Sequence, residues 1–148
     1  MGDDKLSDSE RLLQLLFKES SLEHFLQRDE TAFLLPSFGE YLNAWCRQHG
    51  EVPERLIRAA NLEKGYGHQL FRDKRNPSRD TVLQLAFAMK ADVKQAQEML
   101  KIARKALLYP RIKRDAVLIY CLHNRISLID TLIVLTDLDL PVLGGKDR

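Results

Sequence analysis

Cysteine is scarce: Cys46 and Cys121 are the only two, and they lie far apart among apolar neighbours. No Cys/His pair has zinc-ligand spacing. Two buried thiols in a reducing cytosol are therefore expected, with no disulfide framework and no metal site. Five prolines and seven glycines are too few for a collagen-like or low-complexity chain. A long apolar run is missing too. The longest stretch, Leu128 to Leu135, is broken by Asp130 and is too short to span a membrane. The acidic start Met1-Gly2-Asp3-Asp4-Lys5 has no apolar core, so no signal peptide is expected, and Leu6 stands where a myristoylation signal wants Ser or Thr. What is present is 45% apolar and 30% charged in 148 residues. A chain of that size buries roughly two thirds of its unfolded surface and folds without staples, as one domain with helical extensions.

The net charge of +2 hides a strong segregation. Residues 1–40 carry nine acids against four bases. Residues 64–79 carry Lys64, Arg72, Lys74, Arg75 and Arg79 against Asp73 alone. Residues 94–114 carry seven bases against Glu98, and residues 115–148 return to a net of −2. A basic middle between acidic ends suits a polyanionic partner, or is a solvated face.

Apolar residues recur at three- and four-residue spacing almost throughout, and no alternating strand pattern occurs, so the chain is expected to be all-α. Ser7 or Ser9 caps a first helix with Leu12, Leu13, Leu15 and Leu16. A short second helix follows Ser20 or Ser21, with Leu22, Phe25 and Leu26 on one face. Residues 31–36 form a connector. Ser37 caps a helix bearing Phe38, Tyr41, Leu42 and Trp45, the last as a core anchor, and Gly50 stops it. Pro53 opens a helix through Ala60, and Asn61 ends it in the left-handed region. Ser78 caps a helix with Val82, Leu83, Leu85, Ala86 and Met89. Asp92 caps another, whose face runs from Val93 through Ala96, Met99, Leu100 and Ala103 to Leu107. The tail after Gly144 is expected to fray.

Residues 63–72 form a helix despite Gly65 and Gly67. Each glycine costs a helix interior about 1 kcal/mol relative to alanine, which points to close backbone approach to the chain's own core or to a ligand. The volume left at Gly67 falls to Tyr66 or Phe71. There is also an internal echo. Arg79-Asp80-Thr81-Val82-Leu83 returns thirty-five residues later as Arg114-Asp115-Ala116-Val117-Leu118, with Asp92 matching Ser127, Val93 matching Leu128 and Leu100 matching Leu135. Two consecutive helical hairpins of similar shape are expected, packed side by side.

The stretch Asn61-Leu62-Glu63-Lys64-Gly65-Tyr66-Gly67-His68-Gln69-Leu70-Phe71-Arg72-Asp73-Lys74-Arg75-Asn76-Pro77-Ser78 resembles the core of the lambda-repressor-like (XRE, Cro/repressor type) helix-turn-helix family. Lys74, Arg75, Pro77 and Ser78 match its loop directly. Leu62 and Leu70 take its apolar positions, and Asn61 stands in for the turn glycine. The resemblance covers about residues 37–100. It implies a five-helix DNA-binding domain over 37–109, flanked by an acidic helical extension (1–36) and a C-terminal hairpin packed on the domain (110–148). In such a module the second helix enters the major groove. By that position, Lys64, Gly65, Tyr66, His68 and Gln69 would face base edges, with Gln69 suited to adenine and Lys64 to guanine. Arg72, Lys74, Arg75, Asn76 and Arg79 would hold phosphates. Read as residues alone, Gln69 is equally a solvated helix position, Tyr66 a core filler, and the bases from Lys101 to Arg114 a solvated face or an extension of the phosphate footprint.

The expectation is therefore a bacterial, cytoplasmic, nucleoid-associated transcriptional regulator that reads double-stranded DNA as a homodimer. The protein-facing candidates are residues 1–36 and 110–143. The alternative is an interaction adaptor on the same fold without specific DNA readout. His24, His49, His68 and His123 are scattered, and no nucleophile elbow, P-loop, paired carboxylates with histidine or metal spacing occurs, so neither an enzyme nor a cofactor is expected.

Overall fold

The computed structural model describes residues 8–27 and 35–145. Among these residues the chain is all-α: nine helices and no strand. It divides into two units, Met1–Leu35 and Pro36–Arg148.

The first unit contains α1 (Asp8–Lys18) and α2 (Leu22–Gln27). Ser9 lies inside α1 rather than capping it, and Ser7, like most of the connector expected over 31–36, lies outside the described residues. The turn between the helices is tied by His24 Nδ1 against Glu19 Oε1 at 3.2 Å. Phe25 is buried, whereas Leu13, Phe17, Leu22 and Leu26 are exposed.

The second unit contains α3 (Phe38–His49), α4 (Pro53–Ala59), α5 (Lys64–Phe71), α6 (Arg79–Ala88), α7 (Val93–Ile102), α8 (Lys113–His123) and α9 (Leu128–Asp137). The stop and start chemistry follows the sequence closely. Ser37 and Glu40 form a reciprocal capping box on α3, and Gly50 ends that helix at φ 62°. Pro53 opens α4, and Asn61 takes φ 60° after it. Ser78, Asp92 and Ser127 each accept a backbone N–H at the start of α6, α7 and α9. One helix ends early. The face expected to reach Leu107 stops at Ile102, because Arg104 turns left-handed at φ 59°, and Leu107 becomes an exposed loop residue.

Helix α6 is the centre of the core. Its residues Val82, Leu83, Leu85 and Ala86 have no exposed surface, and Leu42, Leu70, Met99, Leu100, Leu118 and Leu135 from five other helices complete the cluster around it. Trp45 is only half-buried. It stacks on His49 with ring centroids 4.2 Å apart at the edge of the core, instead of anchoring it. Both cysteines are buried free thiols. Burial raises the Cys46 thiol above its ordinary range, with Glu51 adding to the effect.

Gly67 is explained by the α4–α5 contact. A Cβ there would sit 2.5 Å from Ile57 Cγ2, so the helices touch where α5 has no side chain. The vacated volume is taken by Ile57 of α4, not by Tyr66 or Phe71 as expected from the sequence.

The thirty-five-residue echo is built into the bonding. Arg79 makes a bidentate pair with Asp115, at 3.1 and 2.8 Å, and Arg114 makes one with Asp80, at 3.1 and 3.0 Å. Each Arg-Asp dipeptide thus supplies the cation for the other's anion. The accessory bonds repeat as well. Arg79 donates to the carbonyls of Ala106 and Leu107, and Arg114 to those of Pro141 and Val142. Asp115 accepts the Tyr109 amide, and Asp80 that of Gly144. Left-handed residues recur at Lys90 and Arg125, and again at Arg104 and Asp139. Helix α6 packs on α9 and α7 on α8, so the two hairpins lie against each other.

Candidate nucleic-acid interface

Helix α5 has two faces. Gly67, Leu70 and Phe71 are buried against α3 and α4, while Lys64, Gly65 and Gln69 are exposed and His68 is half-buried. The following loop leaves Arg72, Lys74, Arg75 and Asn76 exposed, with Pro77 buried beneath them. Lys64, Gln69, Arg72, Lys74, Arg75 and Asn76 are thus brought together along one helix and its trailing loop. Among the described residues, none of these four cations is held in an ion pair.

The loop's one acid is exposed but bonded to the start of another helix. Asp73 adopts φ 57° and reaches back to the start of α3, where Ser37 Oγ donates to its Oδ2 at 2.6 Å and the Gly39 amide to its Oδ1 at 2.9 Å. A Cβ at Gly39 would approach that carboxylate to 2.7 Å, so the glycine is required by the capping contact. Asn43 Nδ2 donates to the carbonyls of Gly39 and Phe71, tying α3 to the end of α5. Asp73 thus fixes the loop's path by tying it to the start of α3.

Three of the residues expected at the interface sit differently from that expectation. Tyr66 turns toward α6: its hydroxyl lies 3.1 Å from Thr81 Oγ1, and the Arg75 guanidinium lies over its ring, 5.5 Å from the centroid. It therefore fills space and orients Arg75 instead of facing outward. The Gly65 amide is occupied, donating to Glu63 Oε2 at 2.9 Å. Arg79 is turned inward, its guanidinium shared between Asp115 and the carbonyls of Ala106 and Leu107. A phosphate would have to displace that set.

Glu63 is the residue that the motif did not flag. It caps α5, accepting from the amides of Gly65 and Tyr66 at 2.9 Å each. Those two bonds hold its carboxyl below the ordinary glutamate range. Two of the N-terminal amides of α5 are thereby satisfied from within, and the leading end of the helix carries a carboxylate beside Lys64. The sequence signal for it was weak, because the side chains that commonly cap a helix start are Ser, Thr, Asp and Asn, not Glu.

Among the described residues, no group of three or more His, Cys, Asp or Glu side chains could hold a metal ion, and no helix is long and apolar enough to cross a membrane. Comparison of the chain with protein-family models, with curated proteins and with solved structures gives no match.

Proposed function

We propose that this chain is a DNA-binding regulator of transcription, with α4 and α5 acting as a helix-turn-helix of the lambda-repressor-like kind and α3–α7 as its five-helix domain. The observation that carries the reading is the exposed side of α5 and its loop, where Lys64, Arg72, Lys74 and Arg75 stand free of carboxylate partners around Gln69 and Asn76. Cations that are not neutralised within the fold are what a phosphate backbone takes up, with release of condensed counterions. Gln69 and Lys64 are the base-reading candidates, with His68 beside them. Arg72, Lys74, Arg75 and Asn76 are the backbone-positioning set. On this reading the protein is a binding module and not an enzyme. It works in a bacterial cytoplasm on the nucleoid, and as a homodimer on two half-sites about one helical turn apart.

One observation favours a second reading, an interaction adaptor. The Glu63 carboxylate caps the very end of α5 that would lead into the groove. A glutamate there accepts from a cytosine amino group, but it repels phosphate.

Selection from a randomised duplex library at near-physiological salt separates the two readings. A DNA regulator yields one enriched, two-fold motif. Within it, Gln69→Ala relaxes preference at a single position at a cost of about 1–3 kcal/mol on the cognate site, and Lys74→Ala weakens all sequences alike and lowers the salt slope by about one. No enrichment, with neither substitution changing affinity, leaves the adaptor reading.

A further inference from the structure

Residues 103–112 connect α7 to α8 without regular helix, yet side chains hold their backbone at several points. Arg79 donates to Ala106 and Leu107, at 2.9 and 3.0 Å. Gln97 bonds both the carbonyl and the amide of Leu108, at 3.0 and 2.8 Å. Asp115 accepts the Tyr109 amide at 2.9 Å. On this fixed frame Arg104, Arg111 and Lys113 are exposed, and residues 99–114 contain no acid at all. The twin loop after α9 is braced in the same way by Arg114 and Asp80, and in the thirty-five-residue register Lys146 and Arg148 match Arg111 and Lys113, but Asp137, Asp139 and Asp147 stand among them. The brace therefore belongs to the repeated architecture. What sets the first copy apart is that no acid accompanies its cations between residues 99 and 114.

That copy adjoins the candidate DNA surface. The first turn of α6 touches α5 through Thr81 and Tyr66, and touches the α7–α8 loop through Arg79. We propose that the α7–α8 loop is a second phosphate-binding element, in which Arg111 and Lys113 neutralise backbone flanking the stretch that α5 reads. Arg79 acts as the strut that holds the loop in place. The proposal rests on the DNA reading above. It adds a contact that carries no sequence information but lengthens the footprint and fixes the protein's register on the duplex. A rigid loop serves that role because little conformational freedom is lost when phosphate binds.

The test compares DNA affinity against salt concentration for the full chain, for Arg111→Ala/Lys113→Ala and for a control, Arg47→Ala/Lys94→Ala, whose exposed bases lie on α3 and α7. The expected result is a slope of log affinity against log salt shallower by about two in the first variant. Its affinity falls on cognate and unrelated duplexes alike, and its base preference and far-ultraviolet circular dichroism are unchanged. The control keeps the wild-type slope. Should the loop variant also keep that slope while Lys74→Ala flattens it, the second element is wrong and the α5 interface stands. Absence of salt-dependent binding in the unaltered protein removes both. Arg111→Gln/Lys113→Gln, which keeps the side-chain bulk, gives the same reading if the alanine pair disturbs folding.

Discussion

A single carboxylate decides how α5 begins. Because the two amide bonds to Glu63 exist only in the folded chain, its folded pKa lies below the unfolded value of about 4.3. The sign follows directly. The contribution to stability is full above that value and disappears as pH falls through the lower, folded one. Titration followed at the Gly65 and Tyr66 amide resonances should give a common midpoint below that of an ordinary glutamate. A midpoint at or above it would mean that the cap does not form. At this same scale the sequence was only partly legible. Gly67 announced a close approach, since glycine inside a helix is costly. That the approaching group is Ile57 of α4 could not be read, because nothing in a linear pattern states which side chain crosses an interhelical contact. Asp73 at a position suited to glycine is similar. Its left-handed backbone is one that Asp tolerates, but its hold on Ser37 and Gly39, more than thirty residues away, is a tertiary fact.

Helix existence and order were legible because caps and periodicity are local. Ser37, Ser78, Asp92 and Ser127 mark starts, and Gly50 and Asn61 mark stops. The early end of α7 was hidden, since Leu107 continues the apolar spacing and only Arg104 breaks the helix. Arg79 was assigned to phosphate on a motif, and its partner Asp115 lies thirty-six residues on. The clue was the echo itself, because a repeated Arg-Asp dipeptide offers complementary charges to its own copy. The Arg114 and Asp80 side chains keep only 18% and 10% of their surface exposed, so breaking the pair leaves a charge with little water to turn to. Arg114→Ala should destabilise the protein by about 3 kcal/mol or more, as loss of one partner of a buried pair does. Asp80→Ala/Arg114→Ala should cost clearly less than the two single changes together, measured by urea denaturation of the four proteins in a cycle. Additive costs would show that the pair contributes nothing beyond its separate parts.

At the scale of the molecule, the core runs from Phe38 to Leu143, and among the described residues none of the first unit belongs to that cluster. A chain beginning at Pro36 should therefore keep a single cooperative unfolding transition, with Tm within a few degrees of the full chain's. Broad, multiphasic melting by circular dichroism would show that the first thirty-five residues help to build the fold. The family resemblance had implied a boundary near residue 36 and another near 110. The second does not separate compact units, because the crossed Arg-Asp pairs and the α6–α9 and α7–α8 contacts bind the C-terminal hairpin to the rest.

Those crossed pairs place the segments 79–109 and 114–144 in the relation of two protomers about a two-fold axis: a residue on the first meets a residue on the second, and their counterparts meet in return. Here the two halves are joined by a few residues, so each sees the other at an effective concentration in the millimolar range or above. Dilution, which dissociates a true dimer, leaves this association untouched. The packing around α6 thus keeps its geometry at whatever copy number the cell maintains.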